Sequence, residues 1–171
     1  RGTIYLVQGG GLVQSVEESI RRAVSLIGSG PAAAPSGAIR LGQSFGSNNL
    51  FSIDMGGTSF DVSLIRNGVI PTTDFNWVGD ERVAMKMVDV QSVGAGGGSI
   101  AWIDSLGLLR VGPQSAGADP GPACYGKGGT QPTVTDADLA LGYIPADYFL
   151  GGEIPLRLDL AEKAIRTVAD P

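Results

Sequence analysis

Leu50-Phe51-Ser52-Ile53-Asp54-Met55-Gly56-Gly57-Thr58-Ser59-Phe60-Asp61-Val62-Ser63-Leu64-Ile65 is the stretch that decides the fold. Leu50 to Ile53 is apolar and strand-forming. From Phe60 onward, Phe60, Val62 and Leu64 alternate with Asp61, Ser63 and Ile65, the two-residue period of a second strand. The Gly-rich run between them suits a hairpin, and Asn67-Gly68 supplies a tight turn into Val69-Ile70. The reading is a β-meander opened by a glycine hairpin. One carboxylate, Asp54, closes the first strand and another, Asp61, opens the second. Between them the amides of Gly56 and Gly57 can converge into an anion nest, and Thr58 and Ser59 add hydroxyl donors. Asp54 and Asp61 are therefore candidate catalytic carboxylates, with Asp54 able to hold Mg²⁺ through water. A plain hairpin with a flexible turn accounts for the same residues equally well.

Outward from this segment the pattern alternates helix and strand. Ile4 to Val7 reads as a short strand ended by Gly9-Gly10-Gly11. Ser15-Val16-Glu17-Glu18 is a capping box, and Ile20, Ala23, Val24 and Ile27 follow at helical spacing with Gly28 as the stop. A second helix begins near Ser29-Gly30-Pro31 or at Pro35, with Ala38, Leu41 and Phe45 as its inner face. Residues 80–90 fit helix or strand, Val88-Asp89-Val90 favouring strand. Ile100 to Asp104 and Leu108 to Val111 form a hairpin around Ser105-Leu106-Gly107. Gly112 to Pro132 reads as a long Gly/Pro loop, a type that in compact domains is usually functional or disordered, with Tyr125 its chief anchor. Thr135-Asp136-Ala137-Asp138 caps a helix stopped by Gly142. A last helix starts at Asp159, with Ala161, Ala164, Ile165 and Val168 inward.

Composition removes several functions. The 171 residues hold 12 Lys+Arg against 17 Asp+Glu, a net charge of -5, which argues against a phosphate-backbone binder of nucleic acid. There is no histidine, so His-based acid–base catalysis and His-ligated metals are excluded. The single cysteine excludes an intrachain disulfide and Cys-rich zinc sites. No apolar run approaches the ~20 residues of a membrane span. Charged residues make up only 17%, below the roughly 25% of a soluble domain. This suits a fragment of a longer protein, whose surfaces face missing parts. Such a piece is expected to self-associate through its open sheet edge.

Two further stretches carry chemical interest. Gly94-Ala95-Gly96-Gly97-Gly98-Ser99 lets backbone approach a flat ligand or another backbone closely. It has neither the spacing of a dinucleotide fingerprint nor the Lys of a P-loop, and a linker or bulge fits it as well. Cys124, in the long loop, has no His to activate it and no cation nearer than Lys127, so it reads as a buried structural thiol. Asp89, Asp119, Asp136 and Asp138 can offer oxygens to a hard cation, although capping explains the last two.

Asp54-Met-Gly-Gly-Thr-Ser-Phe-Asp-Val-Ser-Leu-Ile, Val93-Gly-Ala-Gly-Gly-Gly-Ser-Ile-Ala and Val111-Gly-Pro-Gln-Ser-Ala-Gly-Ala-Asp-Pro-Gly-Pro-Ala-Cys-Tyr-Gly together resemble the hydantoinase A/5-oxoprolinase family. Thr133-Val-Thr-Asp-Ala-Asp-Leu-Ala-Leu-Gly and Ser29-Gly-Pro-Ala-Ala extend the match, which runs from about Tyr5 to Ala164. The resemblance implies a mixed α/β chain, part of an actin-like ATPase with two ribonuclease-H-like lobes. Residues 1–46 would end the first lobe and residues 47–171 would form an incomplete second lobe. It implies ATP and Mg²⁺ as cofactors. Gly56, Gly57 and Thr58 would donate to the β/γ phosphates, with Ser59, Gly96, Gly97 and Gly98 beside the nucleotide and Asp54 orienting Mg²⁺ or the attacking group.

The implied activity is ATP-dependent hydrolysis of a cyclic amide through phosphorylation of the amide oxygen. The alternatives are a subunit of an ATP-dependent acetone or acetophenone carboxylase and a non-catalytic scaffold. A partner subunit, a possible homo-oligomer and a cytoplasmic location go with this reading. Two departures from the family stand out. The first phosphate hairpin and the adenosine pocket are absent from the chain, so the segment alone is expected not to hydrolyse ATP. Gln91 stands where relatives commonly carry His, which weakens any zinc site shared with Asp89 and Cys124.

Overall fold

The structure, a computed structural model, describes residues 2–169 and divides them into two compact units: residues 2–54 with 61–92, and residues 55–60 with 93–169.

The first unit opens with an antiparallel hairpin of β1 (Tyr5–Val7) and β2 (Val13–Ser15), paired Tyr5 to Ser15 and Val7 to Val13. α1 (Val16–Arg21) starts as expected, the Ser15 hydroxyl accepting from the Glu18 amide at 3.2 Å. It then stops early and gives way to a 3₁₀ turn over Ala23–Leu26. The expected apolar face is not the inner one: Ile20 is 77% exposed and Val24 52%. Ser19 and Ser25 face inward instead, because the buried Gln14 amide donates to both hydroxyls, at 2.9 and 2.8 Å. A straight helix to Ile27 would break that polar cluster, and an unpaired buried amide is costly. Gly28, read as a helix stop, is the left-handed N-cap of the next helix, α2 (Ser29–Ser44).

α2 runs through Pro35 without starting anew there. Its buried positions are Ala32, Pro35 and Gly42, whereas the expected Leu41 and Phe45 are exposed. Small residues win because the helix lies close to its support: a Cβ on Gly42 would stand 2.5 Å from Leu50 Cδ1. β3 (Leu50–Met55) and β4 (Phe60–Ile65) form the predicted meander, in a sheet of order β3-β4 and a third strand described below. The buried side of β4 is Ser63 and Ile65, not Phe60, Val62 and Leu64, which are half-buried. Asn67 and Gly68 have φ of 51° and 72°, the two left-handed residues of a type I′ turn. The ambiguous residues 80–90 hold no helix, only two short strands joined by turns and irregular chain. β5 (Thr72–Thr73) pairs with β8 (Met87–Val88), β6 (Asn76–Val78) with β7 (Glu81–Val83), and β9 (Gln91–Val93) joins β4.

The second unit is built on the hairpin of β10 (Ser99–Ile103) and β11 (Leu109–Ser115). Asp104 organises its turn, accepting from the Leu106 and Leu108 amides at 2.9 Å and from Arg110 Nε at 2.7 Å. β11 takes up the first residues of the expected long loop. After a 3₁₀ turn at Ala123–Tyr125 come α3 (Val134–Ala140) and α4 (Leu158–Ala169). α4 buries Ala161 and Ala164 as its periodicity predicts. α3 is capped by Thr133, not Thr135, in a reciprocal capping box with Asp136. Asp136 is fully buried and accepts four hydrogen bonds, from the Thr133 amide and hydroxyl and the Cys124 and Ala123 amides, at 2.8–3.3 Å. One carboxylate thus ties the helix start to the loop turn, doing what Tyr125 alone could not. Cys124, Leu139, Leu156 and Ala161 form the core beneath, with Tyr125, Ile144 and Phe149 packed on it.

Candidate functional site

The glycine hairpin rests on the second glycine run through main-chain bonds. The Gly56 amide closes the bend by donating to the Ser59 carbonyl at 2.9 Å. The Gly56 and Gly57 carbonyls point the other way and accept from the Gly97 and Gly98 amides, at 2.9 and 2.7 Å. A third layer supports the second: Thr135 donates to the Gly97 carbonyl through both its amide and its hydroxyl, each at 2.8 Å, and Ala116 donates to Gly98. With the hairpin carbonyls engaged, the Gly57 and Thr58 amides have no acceptor among the described residues.

This geometry changes the reason for the glycines. Neither Gly56 nor Gly57 has a positive φ, and the Gly56 amide, expected to join the Gly57 amide as an anion donor, is taken by the Ser59 carbonyl. The steric demand lies in the second run. A Cβ on Gly96 would lie 2.5 Å from the Thr58 nitrogen, and one on Gly98 would lie 2.9 Å from the Gly57 carbonyl oxygen. Gly96 and Gly98 are therefore glycines because another backbone lies against them, one of the two approaches the sequence allowed, whereas a Cβ on Gly97 would meet the Thr135 hydroxyl at 2.9 Å.

A cavity of about 510 Å³ opens over this stack, within the usual range of small-ligand pockets. One side is polar: Gly56, Gly57 and Thr58, then Gly97, Gly98, Ser115 and Thr135. The other is apolar, formed by Pro122, Tyr125, Ile144 and Phe149, with the Tyr125 and Phe149 rings 5.4 Å apart. Asp138 is the one charged side chain in the lining. Burial, then the neighbouring Cys124 and Asp136, push the Tyr125 phenol upward, which keeps it neutral. Burial and Asp136 push the Cys124 thiol up to about 12, so this cysteine is an inert core residue.

Of the residues singled out in the sequence, Gly56, Gly57, Thr58, Gly97 and Gly98 line the cavity, Gly96 lies beneath the hairpin, and Ser59 closes its bend. Asp54 and Asp61 belong to the other unit. Asp54 is exposed near the end of β3, and Asp61 accepts a hydrogen bond from the Ser92 hydroxyl. Asp89 and Gln91, bonded to each other at 3.0 Å, lie in that unit too, whereas Cys124 lies in the second. No group of three or more His, Cys, Asp or Glu gathers as a metal site among the described residues. Ser115, Thr135, Ile144 and Phe149 were not anticipated in the site, and Asp138 was singled out only as a cap or a cation ligand. The available signal was the spacing Thr135-x-x-Asp138, which places both on one face of α3.

The architecture recurs in enzymes that use ATP. The nucleotide-free structure of acetone carboxylase, described as an ATP-dependent carboxylation enzyme, superposes with a TM-score of 0.82 at 32% identity, over 99% of this chain and 24% of that one. The hydantoinase/oxoprolinase family model matches residues 1–171, and the chain belongs to that family. It is 49% identical to the caprolactamase subunit alpha of Pseudomonas jessenii over 99% of its length and 24% of the relative's. It is 48% identical to the acetophenone carboxylase gamma subunit of Aromatoleum aromaticum, over 83% of this chain and 20% of that one. The chain thus spans about a quarter of the length of the relatives it matches.

Proposed function

We propose that the chain is a segment of an ATP-dependent hydrolase of cyclic amides, and that its glycine hairpin holds the terminal phosphates of the nucleotide. The observation that carries this is the pair of unpartnered amides at Gly57 and Thr58, fixed by main-chain bonds to Gly97 and Gly98 at the edge of a cavity. Such donors cost no reorganisation when an anion arrives, which is how preorganised amides stabilise phosphoryl transfer. The donor set fits a phosphate: two amides and the Thr58 and Ser115 hydroxyls. ATP, when bound, supplies the phosphoryl group that activates the amide oxygen toward hydrolysis. Asp54, two residues before the hairpin, would hold Mg²⁺ through water, as hard cations prefer oxygen ligands, and Asp61 would serve as the second carboxylate. In the actin-like reading, residues 1–46 complete one lobe and residues 47–171 begin the other. A partner subunit fits relatives that are themselves named as subunits, and use of ATP favours a cytoplasmic enzyme. No helix among the described residues is long and apolar enough to cross a membrane.

The test is ATP hydrolysis by the full-length protein, with its partner subunit, in the presence of ε-caprolactam, 5-oxoproline or hydantoin. Stimulation by one of them, with ring-opened product in equal amount to ADP, is expected. A nucleotide turnover that ignores all cyclic amides and instead requires bicarbonate and a ketone would favour the second reading, a carboxylase subunit. That reading is supported by the 48% identity to the acetophenone enzyme.

A further inference from the structure

Asp138 is a half-buried carboxylate at the cavity, and no hydrogen bond to its side chain occurs among the described residues. Its position is fixed from both ends of α3. Thr135, one turn earlier on the same face, bonds to Gly97. The Asp138 carbonyl accepts from the Tyr143 amide at 2.8 Å while Gly142 bonds back to Leu139, a Schellman closure. The capping work that could have occupied the carboxylate is done by Asp136. Three residues along a helix rise about 4.5 Å, so Asp138 stands one turn from the glycine stack, toward Ile144 and Phe149.

A lone acceptor between an apolar wall and a phosphate cradle suits a specific partner. We infer that Asp138 accepts a hydrogen bond from the ring N–H of a cyclic amide whose carbon skeleton lies against Ile144 and Phe149. This rests on the proposed function and narrows its substrate: an amide with a free N–H at the reacting nitrogen, not a ketone and not an amide alkylated at that nitrogen. A reacting amide must touch the terminal phosphate, whereas the ribose of the nucleotide is a triphosphate's length away. A donor required one helical turn from the stack therefore belongs to the acceptor substrate. A ketone has no donor and would leave the carboxylate desolvated without a partner, which disfavours it.

The experiment uses the full-length protein with its partner subunit. The kcat/KM of ATP hydrolysis is measured with ε-caprolactam, 5-oxoproline and hydantoin and with the derivative of each that is methylated at the reacting nitrogen. The wild type should prefer the N–H form by about tenfold or more. Asp138→Ala should erase that preference, chiefly by raising KM for the N–H substrate. Affinity for a non-hydrolysable ATP analogue should change by less than about twofold. Asp138→Asn keeps an acceptor oxygen and should retain most of the preference. An unchanged preference in the alanine variant overturns the inference, as does a parallel loss of nucleotide affinity, which would assign Asp138 to the nucleotide. Loss of folding in both variants, read by thermal melting, marks a structural residue and overturns it too. A wild type that hydrolyses ATP but responds to no cyclic amide removes the functional reading itself, an outcome distinct from the others.

Discussion

Replacing Gly96 by alanine probes the site most directly, because the new methyl meets only main chain. Its Cβ would lie 2.5 Å from the Thr58 nitrogen and 2.6 Å from both the Gly56 oxygen and the Ser59 nitrogen, where ordinary contact begins at 3.4 Å. The shortfall is about 0.9 Å, and no flexible side chain is there to yield, so the hairpin must lift away from its support. Overpacking of this kind costs about 1–3 kcal/mol of stability, which leaves a well-packed unit folded. A displacement near 1 Å at a catalytic constellation costs roughly 100-fold in rate. Gly96→Ala in the full-length protein should therefore stay folded by thermal melting, bind a non-hydrolysable ATP analogue more weakly, and lose about two orders of magnitude in amide-dependent ATP hydrolysis. A folded variant with kcat within about threefold of wild type would show that the hairpin's height does not position the reacting phosphate, and the site would have to be sought elsewhere.

Other outcomes follow from the same unit. Asp136→Ala strands three buried amide donors and a hydroxyl and should cost about 3 kcal/mol or more in urea denaturation; Asp136→Asn, keeping one acceptor oxygen, should cost less. Cys124 should resist iodoacetamide at pH 8 in the folded protein and react on unfolding, since burial and Asp136 hold its thiol up near 12. Asp104 is held below its ordinary 3.8, first by the Leu108 amide and then by Arg110. A carboxylate lowered in the folded state contributes stability that is present above its unfolded value and lost as pH falls through the folded one. Asp104→Asn should therefore flatten the stability profile below about pH 4, and NMR titration of the wild type should place the Asp104 midpoint below that of a free aspartate.

What the sequence revealed and what it hid divide along physical lines. The Leu50–Ile65 meander, the Asn67-Gly68 turn, the Ser15 cap and the inner face of α4 were all readable, because each depends on residues a few positions apart. Misread features depended on distant partners. The inner face of α1 is set by Gln14 reaching Ser19 and Ser25, and that of α2 by how closely Gly42 must approach Leu50. The cap of α3 shows the limit most sharply. Thr133-x-x-Asp136 and Thr135-x-x-Asp138 satisfy the same local rule, and nothing within the motif chooses between them. The choice is made by Ala123 and Cys124, whose amides need Asp136. That long-range demand is what leaves Asp138 available to the cavity. The Gly56–Gly57 hairpin was legible from its glycines, but its bed at Gly96–Gly98 was legible only as one of several options. The apolar wall was not legible, since Ile144 and Phe149 come from loops with no periodicity.

The hydrogen bonding of one peptide group to another at Gly56–Gly97 and Gly57–Gly98 has a consequence for variation at the cradle. Its elevation is dictated by amide dimensions, which no substitution at Thr58 or Met55 can alter. Side chains along the rim outside the donor set can therefore be exchanged to retune what is accepted while the anchoring frame stays put, and directed libraries confined to Met55 and Ile144 should yield altered selectivity more often than collapsed protein.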